Sequence, residues 1–131
     1  GTEAIAIVAG ELSNTSELGA TGISRILLNA EGVTDSGQWA KLGGAAAEST
    51  GANIVVASHD ALGRAVAPRI AVRLNAGLVA GVTELPANGL VRKNVFSGKA
   101  MADVAVNGKI AVYTVTPNAF GIASDGGGAE V

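Results

Sequence analysis

The residues best suited to chemistry sit in one stretch, Asn53-Ile-Val-Val-Ala-Ser-His-Asp-Ala-Leu-Gly-Arg64, where a short apolar run gives way to a polar turn and then to a helical pattern. A helix that opens this way presents unpaired backbone N–H groups and a partial positive charge. A phosphate could therefore rest near Gly63 and Arg64, so that Ser58, Gly63 and Arg64 are the candidate residues of an adenine-nucleotide turn. The same residues also read as plain helix punctuation, with Ser58 and Asp60 as caps and Gly63 making the turn. No GxGxxG or P-loop pattern reinforces the nucleotide reading.

Ser58, His59 and Asp60 invite comparison with a hydrolase triad, but three consecutive residues do not ordinarily point at one another as nucleophile, base and orienter. His59 is the only histidine, so any imidazole chemistry would have to use it. One histidine without a cysteine argues against a transition-metal site. The lack of cysteine also excludes disulfides and thiol catalysis. The eleven carboxylates are scattered, with no spacing that marks a paired acid and base. No catalytic group and no metal ligand set emerges.

Two groups of cations stand out further along. Arg69 and Arg73 fall four apart on one helix face, where they either meet a carboxylate or simply face water. Arg92, Lys93 and Lys99 surround Val95-Phe-Ser-Gly-Lys-Ala100, which makes Phe96 either an interface anchor or a core residue.

The elements that must position these groups belong to a chain of 131 residues, enough for one ordinary core that buries roughly two thirds of the unfolded surface. Hydrophobic residues make 48% of it but aromatics only 3%, with 19 glycines and still more alanines, so the core must be thin. A net charge of -2 without a Lys/Arg cluster speaks against nucleic-acid binding. The longest charge-free stretch, Ile110 to Ser124, is shorter than the roughly 20 residues of a membrane span and holds Pro117. The N-terminus lacks the pattern of a signal peptide.

Ala4–Ala9, Ile26–Leu28 and Asn53–Ala57 read as parallel strands covered on both faces. Asn14–Ala20 reads as a short helix. Asp35–Ser49 reads as a longer one, with Trp39, Leu42 and Ala46 on one face and weakened by Gly43 and Gly44. Val66, Ala67, Ile70, Ala71 and Leu74 repeat at helical spacing, so a helix should begin after Gly63, early enough for Pro68 to fall in its first turns. Leu78–Leu85, Leu90–Phe96, Ala100–Val106 and Lys109–Val115 follow as strands with no room for helices between them. Ser97-Gly98 and Asn107-Gly108 are their hairpin links, giving an antiparallel extension of the sheet. The expected class is a three-layer α/β fold, a mostly parallel sheet with helices on both faces plus that extension. Residues 1–121 read as a single domain and 122–131 as a linker or flexible tail.

Ser58-His-Asp-Ala-Leu-Gly-Arg-Ala-Val-Ala-Pro-Arg-Ile-Ala-Val-Arg-Leu-Asn-Ala-Gly-Leu-Val-Ala-Gly-Val-Thr83 resembles the N-terminal domain of the electron-transfer flavoprotein alpha subunit. Val91–Val106 and Val112–Phe120 resemble that domain's antiparallel half. The resemblance covers residues 53–120 and is most specific at Gly63–Arg69. More weakly, Ala4–Gly10 is similar to the family's second strand and Ile23–Asn29 to its third.

This resemblance implies an adenine nucleotide alpha hydrolase-like fold that lacks the family's first strand and helix before Gly1 and its flavin domain after Val131. It implies a scaffold at the interface with a beta subunit, in a carrier that moves electrons from dehydrogenases, as in fatty acid beta-oxidation, to a quinone reductase or similar acceptor. FAD would be held by the missing domain and not by this chain alone, and AMP by the beta subunit. Gly63, Arg64, Pro68 and Arg69 would shape the turn and helix without doing chemistry. The location would be cytoplasmic in a bacterium and the mitochondrial matrix in a eukaryote.

Overall fold

Short β-branched runs become strands, and the alanine-rich stretches become helices. The computed structural model describes residues 3–11, 20–87 and 90–120, which divide between two compact units. The helix expected over Asn14–Ala20 and the tail expected from Ile122 lie outside the described residues.

The smaller unit holds β1 (Ile5–Ala9) and β2 (Arg25–Asn29), which pair in parallel from Ile5↔Arg25 to Ala9↔Asn29. Ile26 is fully buried there, and Glu3 takes the Arg25 guanidinium at 2.7 Å.

The larger unit, Asp35–Phe120, opens with α1 (Ser36–Thr50). Asp35 caps it by accepting the Gln38 N–H at 2.8 Å, and Gly51 ends it in the left-handed conformation. Its most buried positions include Ala40, Gly43, Gly44 and Ala47, a stripe of small residues, while Trp39 and Leu42 are only half-buried. The glycines expected to weaken α1 are where α2 (Ala61–Leu74) comes close. A Cβ on Gly43 would lie 2.7 Å from Ile70 Cδ1, and the Arg73 stem covers Gly44. Close packing offsets the conformational cost of glycine in a helix.

Between the helices runs β3 (Ile54–Ser58), and after them β4 (Gly77–Ala87), β5 (Leu90–Val95), β6 (Ala100–Ala105) and β7 (Ala111–Val115). They form one mixed sheet in the order β3-β7-β4-β5-β6. The three strands β3, β7 and β4 are parallel, and β4, β5 and β6 are antiparallel. The α/β class and the antiparallel extension are as expected, and the helix-flanked sheet is consistent with a three-layer fold.

Three local expectations need correction. The Asn107-Gly108 pair does not link a hairpin: β7 leaves β6 and inserts between β3 and β4, parallel to both. Its burial explains why, since Ala111, Val112 and Thr114 are almost free of solvent contact, and a strand covered on both faces belongs at the centre of a parallel sheet. β3, by contrast, lies at the sheet's edge, with Ile54 50% and Val56 58% exposed. Finally, α2 starts at Ala61, before Gly63, which puts Pro68 in the helix interior on its exposed side.

Two hydrophobic clusters hold this unit. Ala40, Val66, Ala67, Ile70, Ala71 and Val112 form the first, joined by Trp39, Val55 and Leu78. Val79, Val82 and Val91 form the second, joined by Val104, Tyr113 and Phe120. Both described helices contribute to the first. The second draws on strands as far apart as β6 and β7, and register shifts interrupt the pairing of β4 between Val79 and Ala87.

Candidate functional site

The Ser58–Arg64 turn lies at the carboxyl ends of β3 and β7, beside Gly81 midway along β4, on the side of an open α/β sheet where ligands ordinarily bind. β3 extends past its last residue by one bond, His59 N–H donating to the Val115 carbonyl at 2.8 Å. Asp60 then turns the chain. Its carboxylate accepts the Gly63 N–H at 2.8 Å, and its carbonyl accepts the Arg64 N–H at 2.9 Å.

The Gly63 hydrogen bond is the main reason the Asp60 carboxyl is held below its usual range. Partial desolvation opposes it, and the Ser58 hydroxyl adds a smaller contribution in the same direction. Gly63 is buried within the first turn of α2, and a Cβ there would run into the Ser58 carbonyl. Only glycine lets the helix start so close to the strand end.

His59 is anchored by a residue that sequence reading passed over. Its Nδ1 lies 2.9 Å from Thr114 Oγ1, and the same oxygen accepts the Gly81 N–H at 3.0 Å. A hydroxyl both donates and accepts, so this contact forms with either neutral tautomer of the imidazole. Thr114 is 1% exposed, and its one oxygen ties together β4, β7 and the residue following β3. The signal was available: a threonine inside the apolar run Ala111-Val-Tyr-Thr-Val115 occupies a core position where its hydroxyl must find partners.

The turn thus brings Ser58, His59, Asp60, Gly63, Thr114 and Gly81 together, while Arg64 stays exposed at its rim. It does not assemble a nucleophile and base. His59 Nδ1 is engaged by Thr114, and no hydrogen bond joins the Ser58 hydroxyl to His59. Among the described residues no group of three or more His, Asp or Glu could hold a metal ion.

Arg69 and Arg73 of α2 reach toward α1. Arg69 donates to Ser36 Oγ at 3.0 Å and to the Ala65 carbonyl at 2.8 Å, and Arg73 faces Glu48 of α1 at 3.7 Å.

Compared with known families, the sequence matches the model of the electron transfer flavoprotein domain over residues 1–131. The chain belongs to the electron transfer flavoprotein family. Among curated proteins, no sequence matches it. The family match extends beyond the 53–120 stretch on which the resemblance was strongest.

Membership raises the question of a flavin, and the start of α2 does not fit its diphosphate. The N–H group that would meet a flavin's diphosphate at the start of α2 is taken by Asp60, whose negative charge would repel it. Two shallow hollows lie elsewhere. One runs along Asn53, Leu74 and Ile110 at the opposite end of the parallel strands, and the other along Pro68, Val72 and Leu78. Neither is lined by a residue of the Ser58–Arg64 turn.

Proposed function

We propose that this chain is the N-terminal scaffold and subunit-interface domain of an electron transfer flavoprotein alpha subunit. It belongs to an FAD-dependent carrier that takes electrons from dehydrogenases to a quinone reductase or a similar acceptor. The observation that carries this reading is the family match across residues 1–131. The choice of subunit rests on the Gly63–Arg69 element, whose Gly-Arg-x-x-Ala-Pro-Arg sequence resembles the alpha subunit.

In this role the turn supports structure: Asp60 closes the start of α2, and Thr114 fastens the strand ends. The flavin is held outside these residues. When bound, it supplies the redox centre, accepting and releasing electrons, while this chain holds the sheet and helices against the partner subunit.

The test is to mix the purified chain with an electron transfer flavoprotein beta subunit and follow both by size-exclusion chromatography. A co-eluting complex is expected, and the chain alone, dialysed, should show no flavin absorbance. Stoichiometric FAD on the isolated chain, or failure to bind the beta subunit, would remove the proposal.

A further inference from the structure

The Asn107-Gly108 pair reads in the sequence as a hairpin link, and the fold does not use it as one. A two-residue turn of the kind that Asn-Gly favours holds both central residues at positive φ. Neither Asn107 nor Gly108 is among the described residues with positive φ. They lie instead in the exposed crossover from β6 to β7, outside any helix or strand. With no turn to make, the pair is left with its own chemistry.

Asparagine is among the residues that age fastest, because its short side chain meets the backbone that follows it. Where the next N–H has no other partner, and the next residue has no Cβ to crowd the approach, that nitrogen can attack the side-chain amide. These conditions come together at Asn107. Among the described residues the Gly108 N–H and the Asn107 side chain make no hydrogen bond, and both residues are exposed. A Cβ on Gly108 would meet nothing closer than the Ile110 carbonyl at 3.8 Å.

The other described asparagines differ. Asn75 and Asn118 precede N–H groups that are engaged, Ala76 donating to the Ala71 carbonyl at 2.8 Å and Ala119 to the Thr116 carbonyl at 3.2 Å. Asn53 and Asn94 precede Ile54 and Val95, whose branched side chains crowd the approach. Asn29 uses its side-chain oxygen to accept the Glu31 N–H at 3.3 Å. The chain's second such pair, Asn88-Gly89, lies outside the described residues.

We propose that Asn107-Gly108 is a site of spontaneous covalent modification, where the folded chain converts through a succinimide to isoaspartate and aspartate. The Gly108 nitrogen gives its proton to hydroxide and bonds to Asn107 Cγ. The Cγ–Nδ2 bond breaks, and the side-chain nitrogen takes a proton from water and leaves as ammonia. Water then opens the ring. Addition at the main-chain carbonyl of Asn107 reroutes the chain through the side chain as isoaspartate, and addition at Cγ gives aspartate. Each conversion consumes a water and releases an ammonia, with no oxidant or enzyme. It adds a negative charge to a chain of net charge -2, on the loop that leads into the central strand β7.

The test incubates the purified chain at neutral and at mildly alkaline pH and follows it by anion exchange and by peptide mapping with mass spectrometry. Isoaspartate is probed with a protein isoaspartyl methyltransferase and labelled S-adenosylmethionine. A later-eluting form is expected, with NH2 exchanged for OH at Asn107, accumulating faster at the higher pH and accepting the labelled methyl group. Conversion at Asn107 should keep pace with that in a free peptide of residues 105–111 and outrun that at Asn75 and Asn118. Gly108→Val, for which there is room, should unfold in urea at about the wild-type midpoint and lose the conversion at Asn107. Asn107→Asp should still yield isoaspartate at that position, without release of ammonia.

Conversion at Asn107 no faster than at Asn75 or Asn118, or conversion confined to Asn88, would overturn the proposal. So would strong protection of Asn107 relative to the free peptide, or undiminished conversion in Gly108→Val.

Discussion

At the scale of single residues, the start of α2 depends on two adjacent choices, an acceptor at position 60 and the absence of a side chain at position 63. Alanine is the better helix former by about 1 kcal/mol, so Gly63→Ala would stabilise α2 if propensity decided the matter. The collision with the Ser58 carbonyl is with backbone and cannot relax cheaply. Overpacking of this kind costs about 1–3 kcal/mol, and we expect Gly63→Ala to lower the urea midpoint. An unchanged or higher midpoint would show that the strand end gives way.

Asp60 sets an acid limit on the same turn. Its carboxyl is held below its ordinary value in the folded chain, chiefly by the Gly63 N–H, so the stability it contributes is present above its unfolded pKa and is lost as pH falls through the lower, folded one. Asp60→Asn keeps an acceptor but does not titrate. Its stability should fall less steeply than that of the wild type below the normal carboxylate range, read as the difference between two pH series of thermal midpoints. Parallel series would assign the acid sensitivity elsewhere, for example to Asp103, which Arg92 also holds below its usual range.

At the scale of elements, α1 and α2 approach through glycine and alanine, and the close fit can be measured. Gly43→Ala gains helix propensity and asks only the tip of the flexible Ile70 side chain to move, so it should leave stability nearly unchanged. Gly43→Leu has no such room and should cost about 1–3 kcal/mol by chemical denaturation. Equal midpoints for the two variants would mean that the helices are not in tight contact.

The elements were also where the sequence spoke most clearly and misled most specifically. Val66, Ala67, Ile70 and Ala71 declared α2 by their spacing, and all four are buried. Its start lies earlier than the spacing predicts, because Gly63 sits inside the first turn, where the lack of a side chain lets the helix pass the Ser58 carbonyl at the end of β3. Asn107-Gly108 carried a strong local hairpin signal, but the burial of Val112 and Thr114 drew β7 into the centre of the sheet, and long-range packing outweighed turn preference. In the site, Asp60, Gly63 and Ser58 were legible as a group. The sequence marks Thr114 as a buried hydroxyl in need of partners but does not name them, because only the pairing of β7 with both β3 and β4 brings His59 and Gly81 to it.

At the scale of the whole molecule, the five-stranded sheet of the larger unit ends at β3. From Ala52 to Ser58 the sequence has no charge and no proline, and Ile54 and Val56 face solvent along an edge whose outer N–H and C=O groups have no strand beside them in this sheet. Such edges recruit further strands. Val56→Lys should raise the concentration at which light scattering begins without lowering thermal stability, since the side chain is exposed. Scattering that begins at the wild-type concentration would show that this margin is not where the chain associates.

The central position of β7 has a consequence in time. β3 and β4 each pair with a strand that is made last among the five, so a ribosome has to deliver residues up to Val115 before the parallel half of the sheet can close. Contacts so distant along the chain slow folding, and until they form the valines meant for the middle of the sheet have only water or a chaperone to meet.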